Sequence, residues 1–137
     1  MANDPTLALR QAVIVTARAD TDLIALVPAE RNYGMRSPPD PAYPFTRYGS
    51  PDALPFRAQC IDGASIAFMT HTFSQGEFED ECAAINAAYS KALDGQVLAL
   101  DGGGRATIVW KGSQIIPDAA EADVWHGINR FEATVVV

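Results

Sequence analysis

Lysine is nearly missing from this chain: of ten basic residues only Lys91 and Lys111 are lysines, against seventeen carboxylates and a net charge of −7. A chain whose main task is gripping nucleic acid needs clustered lysine and arginine to meet phosphate, so the balance argues against that class. Cysteine is equally sparse. Cys60 and Cys82 fall on a predicted strand and a predicted helix at a spacing that matches no disulfide framework or zinc motif, which leaves two buried free thiols as the reading. No apolar run approaches the roughly 18 to 20 residues needed to span a bilayer. The opening stretch MANDPTLALRQ lacks the charged and apolar regions of a signal peptide, so the expectation is a protein working in the cytoplasm or in something assembled there.

Hydrophobic residues make up 48% and charged residues 20% of the 137, an ordinary balance for one folded domain spanning residues 1–137. The chain is organised around Gly63 to Leu93, a long strand that turns sharply into an amphipathic helix. Between Ala64 and Phe73, Ile66 and Phe68 point one way while Ala67, Met69, His71 and Phe73 point the other. Both faces are partly apolar, which places this strand centrally or sets its second face against a partner. Ser74 followed by Glu77 fits a capping box, and Glu77, Glu79, Asp80 and Glu81 crowd the first turns, where the helix dipole favours negative charge. Phe78, Cys82, Ile85, Tyr89 and Leu93 recur at steps of three and four and form the buried face, with Glu79, Asn86 and Ser90 elsewhere on the cylinder. Asp94-Gly95 ends the helix.

Taken in order, Asp4-Pro5 opens a first helix running to about Ala19 with Leu9, Ala12, Val13 and Ala17 as its stripe. Asp20-Thr21-Asp22 recaps a short piece, Leu23 to Val27, which Pro28 stops. Val27 to Pro44 holds five prolines in eighteen residues and predicts an irregular segment, either a semi-rigid arm reaching a neighbour or a plain surface crossover. PFTRYG at Pro44 to Gly49 and FRAQCI at Phe56 to Ile61 read as two strands, with Asp62-Gly63 as the hairpin turn into the central strand. A short apolar piece, Val97 to Leu100, and a glycine turn then lead into a strand from Arg105 to Ile116, bulged at Gly112. After an acidic loop, Trp125 to Val137 closes the chain as a strand with Trp125, Phe131, Ala133 and Val135 on one face and His126, Arg130, Glu132 and Thr134 on the other. The fold class that follows is α+β, with two main helices packed on one face of a mostly antiparallel sheet of four to five strands.

Chemistry is harder to find. His71, His126, Cys60 and Cys82 are not paired at metal-ligand spacings. There is no G-x-S-x-G elbow, and nothing in sequence assigns either histidine a base role. Gly102 to Gly104 lacks the Walker lysine and precedes a strand, so it reads as a turn. The acidic set Glu77 to Glu81 is explained by a solvated helix start without a divalent cation.

The order of pieces nonetheless resembles the tail completion or tail terminator family of long-tailed phages and gene transfer agents. The matching stretches are Leu7 to Val27, PPDPAYPFTRYG at Pro38 to Gly49, IAFMTHTFSQG at Ile66 to Gly76, AAINAAYSKALDG at Ala83 to Gly95, and HGINRFEATV at His126 to Val135. One departure is ALPFRAQCIDG, Ala53 to Gly63, where the family often carries a polar, glycine-rich hairpin arm. The resemblance implies a structural protein of a virion or phage-like particle, assembled in the host cytoplasm, with no catalytic residues and no cofactor. It implies a ring, usually a hexamer, that terminates the tail tube and joins it to the head-side connector or stopper, with DNA passing through the lumen unbound. Its partners would then be copies of itself, the major tail tube protein and the head-side connector, with no membrane involved. Within the arm and the strand after it, Arg31, Tyr33, Arg36, Tyr43, Phe45 and Arg47 are the candidate contacts to a neighbouring subunit or the tube. The competing readings are another connector such as a stopper, a small α+β enzyme using His71 or His126 as a base, and a ligand-binding module.

Overall fold

A computed structural model describes residues 4–58 and 61–136. Helix α1 covers Thr6–Ala19, with the Asp4 carboxylate accepting from the Thr6 amide at 2.9 Å, so the helix starts one residue later than the Asp-Pro pair suggests. Its stripe is as expected: Leu9, Val13 and Ala17 are fully buried. Helix α2, Thr21–Ile24, is the short recapped piece, and Asp20 accepts from the Leu23 amide at 2.9 Å. The segment expected to be irregular holds a 3-10 turn at Ala29–Arg31 and a two-residue strand β1, Asn32–Tyr33.

The sheet has six strands, not four to five, in the order β1-β2-β3-β6-β5-β4. The added strands are the edge strands β4 (Val97–Ala99) and β1, which pairs parallel to β2 (Phe45–Ala58) where buried Asn32 anchors it. Asn32 Oδ1 accepts from Thr46 Oγ1 at 2.6 Å, and its amide nitrogen reaches the carbonyls of Val27 and Pro28. The two strands expected at 44–49 and 56–61 are one continuous strand. Gly49-Ser50-Pro51 is a register shift inside β2 and does not break the pairing with β3 (Ile61–Gln75), which resumes at Asp52↔Ala67. Asp62-Gly63 is likewise no turn: Phe56 pairs with Gly63 and Arg57 with Asp62. Residues 59–60, and with them Cys60, lie outside the described residues. β3 is central, flanked by β2 and by β6 (Val124–Val136), as its two apolar faces predict. β5 (Arg105–Pro117) completes the broad part of the sheet, with the expected bulge between Trp110 and Gly112, and β4 (Val97–Ala99) lies at its edge.

Helix α3 spans Asp80–Leu93, later than the capping box predicts. Ser74 remains in the strand and donates to the Glu81 carboxylate at 2.6 Å, bridging strand and helix across the turn. Phe78 therefore sits outside the helix, 64% exposed, and the buried face is Cys82, Ile85, Asn86, Tyr89 and Leu93. Cys82 is a free buried thiol. Both long helices cover one face of the sheet, where Tyr48, Phe68 and Phe131 stack across β2, β3 and β6 at centroid distances of 5.1 and 5.2 Å.

Asn86 is the main surprise in the core. It is 3% exposed because it joins a polar seam under α3. Its Oδ1 accepts from Thr72 Oγ1 at 2.9 Å and its backbone carbonyl accepts from Asn129 Nδ2 at 2.9 Å. Asn129 Oδ1 in turn accepts from Trp110 Nε1 at 3.2 Å. Gly127 makes the seam possible, since a Cβ there would stand 2.8 Å from Asn86 Oδ1.

Candidate functional site

The helices leave the second face of the sheet uncovered, and strand pairing decides which side chains meet there. Residues directly opposite on paired strands share a face, so Phe45↔Phe73↔His126 and Arg47↔His71↔Ile128 form two adjacent rows across β2, β3 and β6. Four of the six residues expected at an interface come together here. Tyr33 and Tyr43 stand 6.0 and 5.5 Å from the Phe45 ring, Phe45 stacks on Phe73 at 4.9 Å, and the Arg47 guanidinium lies 5.4 Å from the Phe73 centroid. Phe45 is buried under this cluster, so its neighbours and not its own ring form the surface.

The two remaining candidates behave differently. Arg31 turns inward and donates from Nη1 to the Tyr43 carbonyl at 3.2 Å, clasping the two ends of the proline-rich segment. Arg36 is exposed and stands apart from the aromatic rows.

His71 and His126, considered from sequence only as metal ligands or bases, are part of the same surface. Their rings lie 5.0 Å apart, with His71 Nδ1 and His126 Nε2 at 2.8 Å sharing one hydrogen, and Phe73 stacks on His126 at 4.5 Å. Burial, then His126, then Arg47 lower the His71 pKa to about 4. Burial also lowers that of His126, with Asp118 opposing and Arg47 assisting. The pair is thus neutral near pH 7, a hydrogen-bonded brace between β3 and β6. Among the described residues no group of three or more His, Cys, Asp or Glu converges as a metal site would. The period-two pattern puts Met69, His71 and Phe73 on one face of their strand and His126 on the face of its own strand opposite Phe131; what it lacks is the register that sets the two strands side by side.

At the end of the sheet where β3 stops and β6 starts, two acidic segments meet. The Gly76 amide donates to the Asp123 carbonyl at 2.8 Å, and Trp125 Nε1 donates to the Gly76 carbonyl at 3.2 Å. Glu77, Glu79, Asp80 and Glu81 thereby neighbour the loop that carries Asp118, Glu121 and Asp123. Burial, followed by Glu121 and Asp118, raises the Tyr43 pKa, which places the aromatic rows beside that acidic end. No helix among the described residues is long and apolar enough to cross a membrane.

The arrangement offers a shaped, partly apolar surface beside an acidic pole, and comparison with known proteins agrees with an assembly role. A solved chain from the virion of a native gene transfer agent particle is similar over its entire length: the match covers 99% of this chain and 100% of that one, at 25% identity and a TM-score of 0.85. A second solved chain, 16% identical over 93% of this chain and 95% of its own with a TM-score of 0.56, shares the fold. Among curated proteins no sequence matched. The family model described as tail completion protein gp17 matches residues 11–136, nearly the whole chain, and the protein belongs to that family.

Proposed function

We propose that this protein is a structural component of a phage or gene transfer agent particle, forming a ring, usually of six copies, that caps the finished tail tube and joins it to the head-side connector. The single observation that carries this reading is the full-length likeness to a chain of a native gene transfer agent virion, combined with membership in the tail completion family. The open face supports it: Tyr33, Tyr43, Phe45 and Arg47 form one cluster, of the aromatic and arginine kind that anchors protein interfaces. In this reading Arg31 acts indirectly, by holding Tyr43, and Arg36 is a separate contact. The net charge of −7 suits a lumen that lets DNA pass without holding it. No bond is made or broken in this role.

The test is attachment to tubes. Purified tail tubes lacking this protein, mixed with a gold-labelled copy and viewed in negative stain, should carry label at one end only, as a closed ring. Label scattered along the tube, or none on tubes able to bind the head connector, would overturn the proposal.

A further inference from the structure

The surface holds an apolar recess and an apolar knob whose surroundings carry opposite charge. The recess, about 330 Å³, lies between the start of α1 and the β1–β2 edge and is walled by Leu7, Met35 and Pro51. Leu7 and Met35 are 58% and 51% exposed, so the walls face solvent. Arg10 also lines it, half-buried and without an ion pair among the described residues, and exposed Arg36 follows Met35 in the chain. Asp4 at the rim is engaged by the amide and hydroxyl of Thr6. The knob is Phe78, exposed on the turn between β3 and α3 and flanked by the exposed carboxylates of Glu77, Glu79 and Asp80. An aromatic side chain left in water inside an acidic run matches an apolar recess lined by a guanidinium in both polarity and sign.

We propose that Phe78 of one copy seats in the Leu7–Met35–Pro51 recess of the next, with Glu77 or Glu79 meeting Arg10 and Arg36. Knob and recess share no residue, so each copy offers both at once, which makes the contact head-to-tail and able to close a ring. This gives Arg36, which stands outside the aromatic rows, a partner. The inference rests on the ring reading above and names the surfaces that would build the ring.

A disulfide trap tests it. In a Cys60→Ser background, Leu7→Cys combined with Phe78→Cys should give, on mild oxidation, a ladder of covalent oligomers ending at a closed ring, whereas either cysteine alone should stop at dimers. Arg10→Glu should cut the ladder by about tenfold at low salt, and adding Glu79→Arg to it should restore the yield. A closed ring seen by sedimentation of the unmodified protein without any ladder would overturn this contact and leave the ring intact. Cross-links formed only to tube subunits would assign the knob to the tube and overturn it as well. A protein that stays monomeric both alone and on tubes, and forms no ladder, would remove the ring and the contact together.

Discussion

At the scale of single residues, two positions hold more than their sequence context advertises. Gly127 is needed because Asn86 occupies the space where its Cβ would be, 2.8 Å from Oδ1. Gly127→Ala should therefore cost about 2 kcal/mol in urea unfolding, the range for overpacking a tight site. Combining it with Asn86→Ala should cost clearly less than the sum of the two single changes, because the clash and the lost seam are one event. The histidine pair sets a pH dependence whose sign follows from linkage. Both pKa values are lowered on folding, so as pH falls the unfolded chain takes up protons first. Stability is thus fully present above the unfolded value of 6.5 and is lost as pH falls toward about 4. Unfolding midpoints at pH 7.5 and 4.5 should show this loss, and His71→Gln should shrink it.

At the scale of elements, caps and clasps act where propensity is weak. Helix α2 is only four residues, too short to persist by its own hydrogen bonds, and depends on the Asp20 cap and on buried Leu23. Asp20→Ala should destabilise the protein by about 1 kcal/mol, read from the urea midpoint. The segment 34–44 is tied at its far end by the Arg31–Tyr43 hydrogen bond. Arg31→Ala should speed trypsin cleavage after Arg36 while leaving global stability within about 0.5 kcal/mol, since little core is involved. The elements also show where local reading ends. Asp20 was legible as a cap because its partner is three residues away. Ser74 carries the signature of a cap but lies within the strand and bonds Glu81, seven residues on. Asp62-Gly63 carries a turn signal but is pinned inside a strand by its pairing with Phe56 and Arg57.

At the scale of the whole molecule, helices cover one face of a six-stranded sheet and leave the other without a helix. If that open face meets the tube, Tyr43→Ser should weaken tube-end attachment by about tenfold or more in a pull-down, with the circular dichroism spectrum unchanged. Attachment equal to that of the unaltered protein would move the tube contact elsewhere. Residue pattern alone suffices for the apolar stripes of both long helices apart from Phe78 and Asn86, for the helix ends to within a few residues and for the β5 bulge, because periodicity, prolines and glycines act on the chain within a few residues. Only the folded sheet sets the β2-β3-β6-β5 neighbourhood, which brings His71 onto His126 across 55 positions of chain and gathers Tyr43, Phe45 and Phe73 into one aromatic cluster. Strand order and register are set by which edges hydrogen-bond and which faces must be buried together, and no local stretch of residues contains that information.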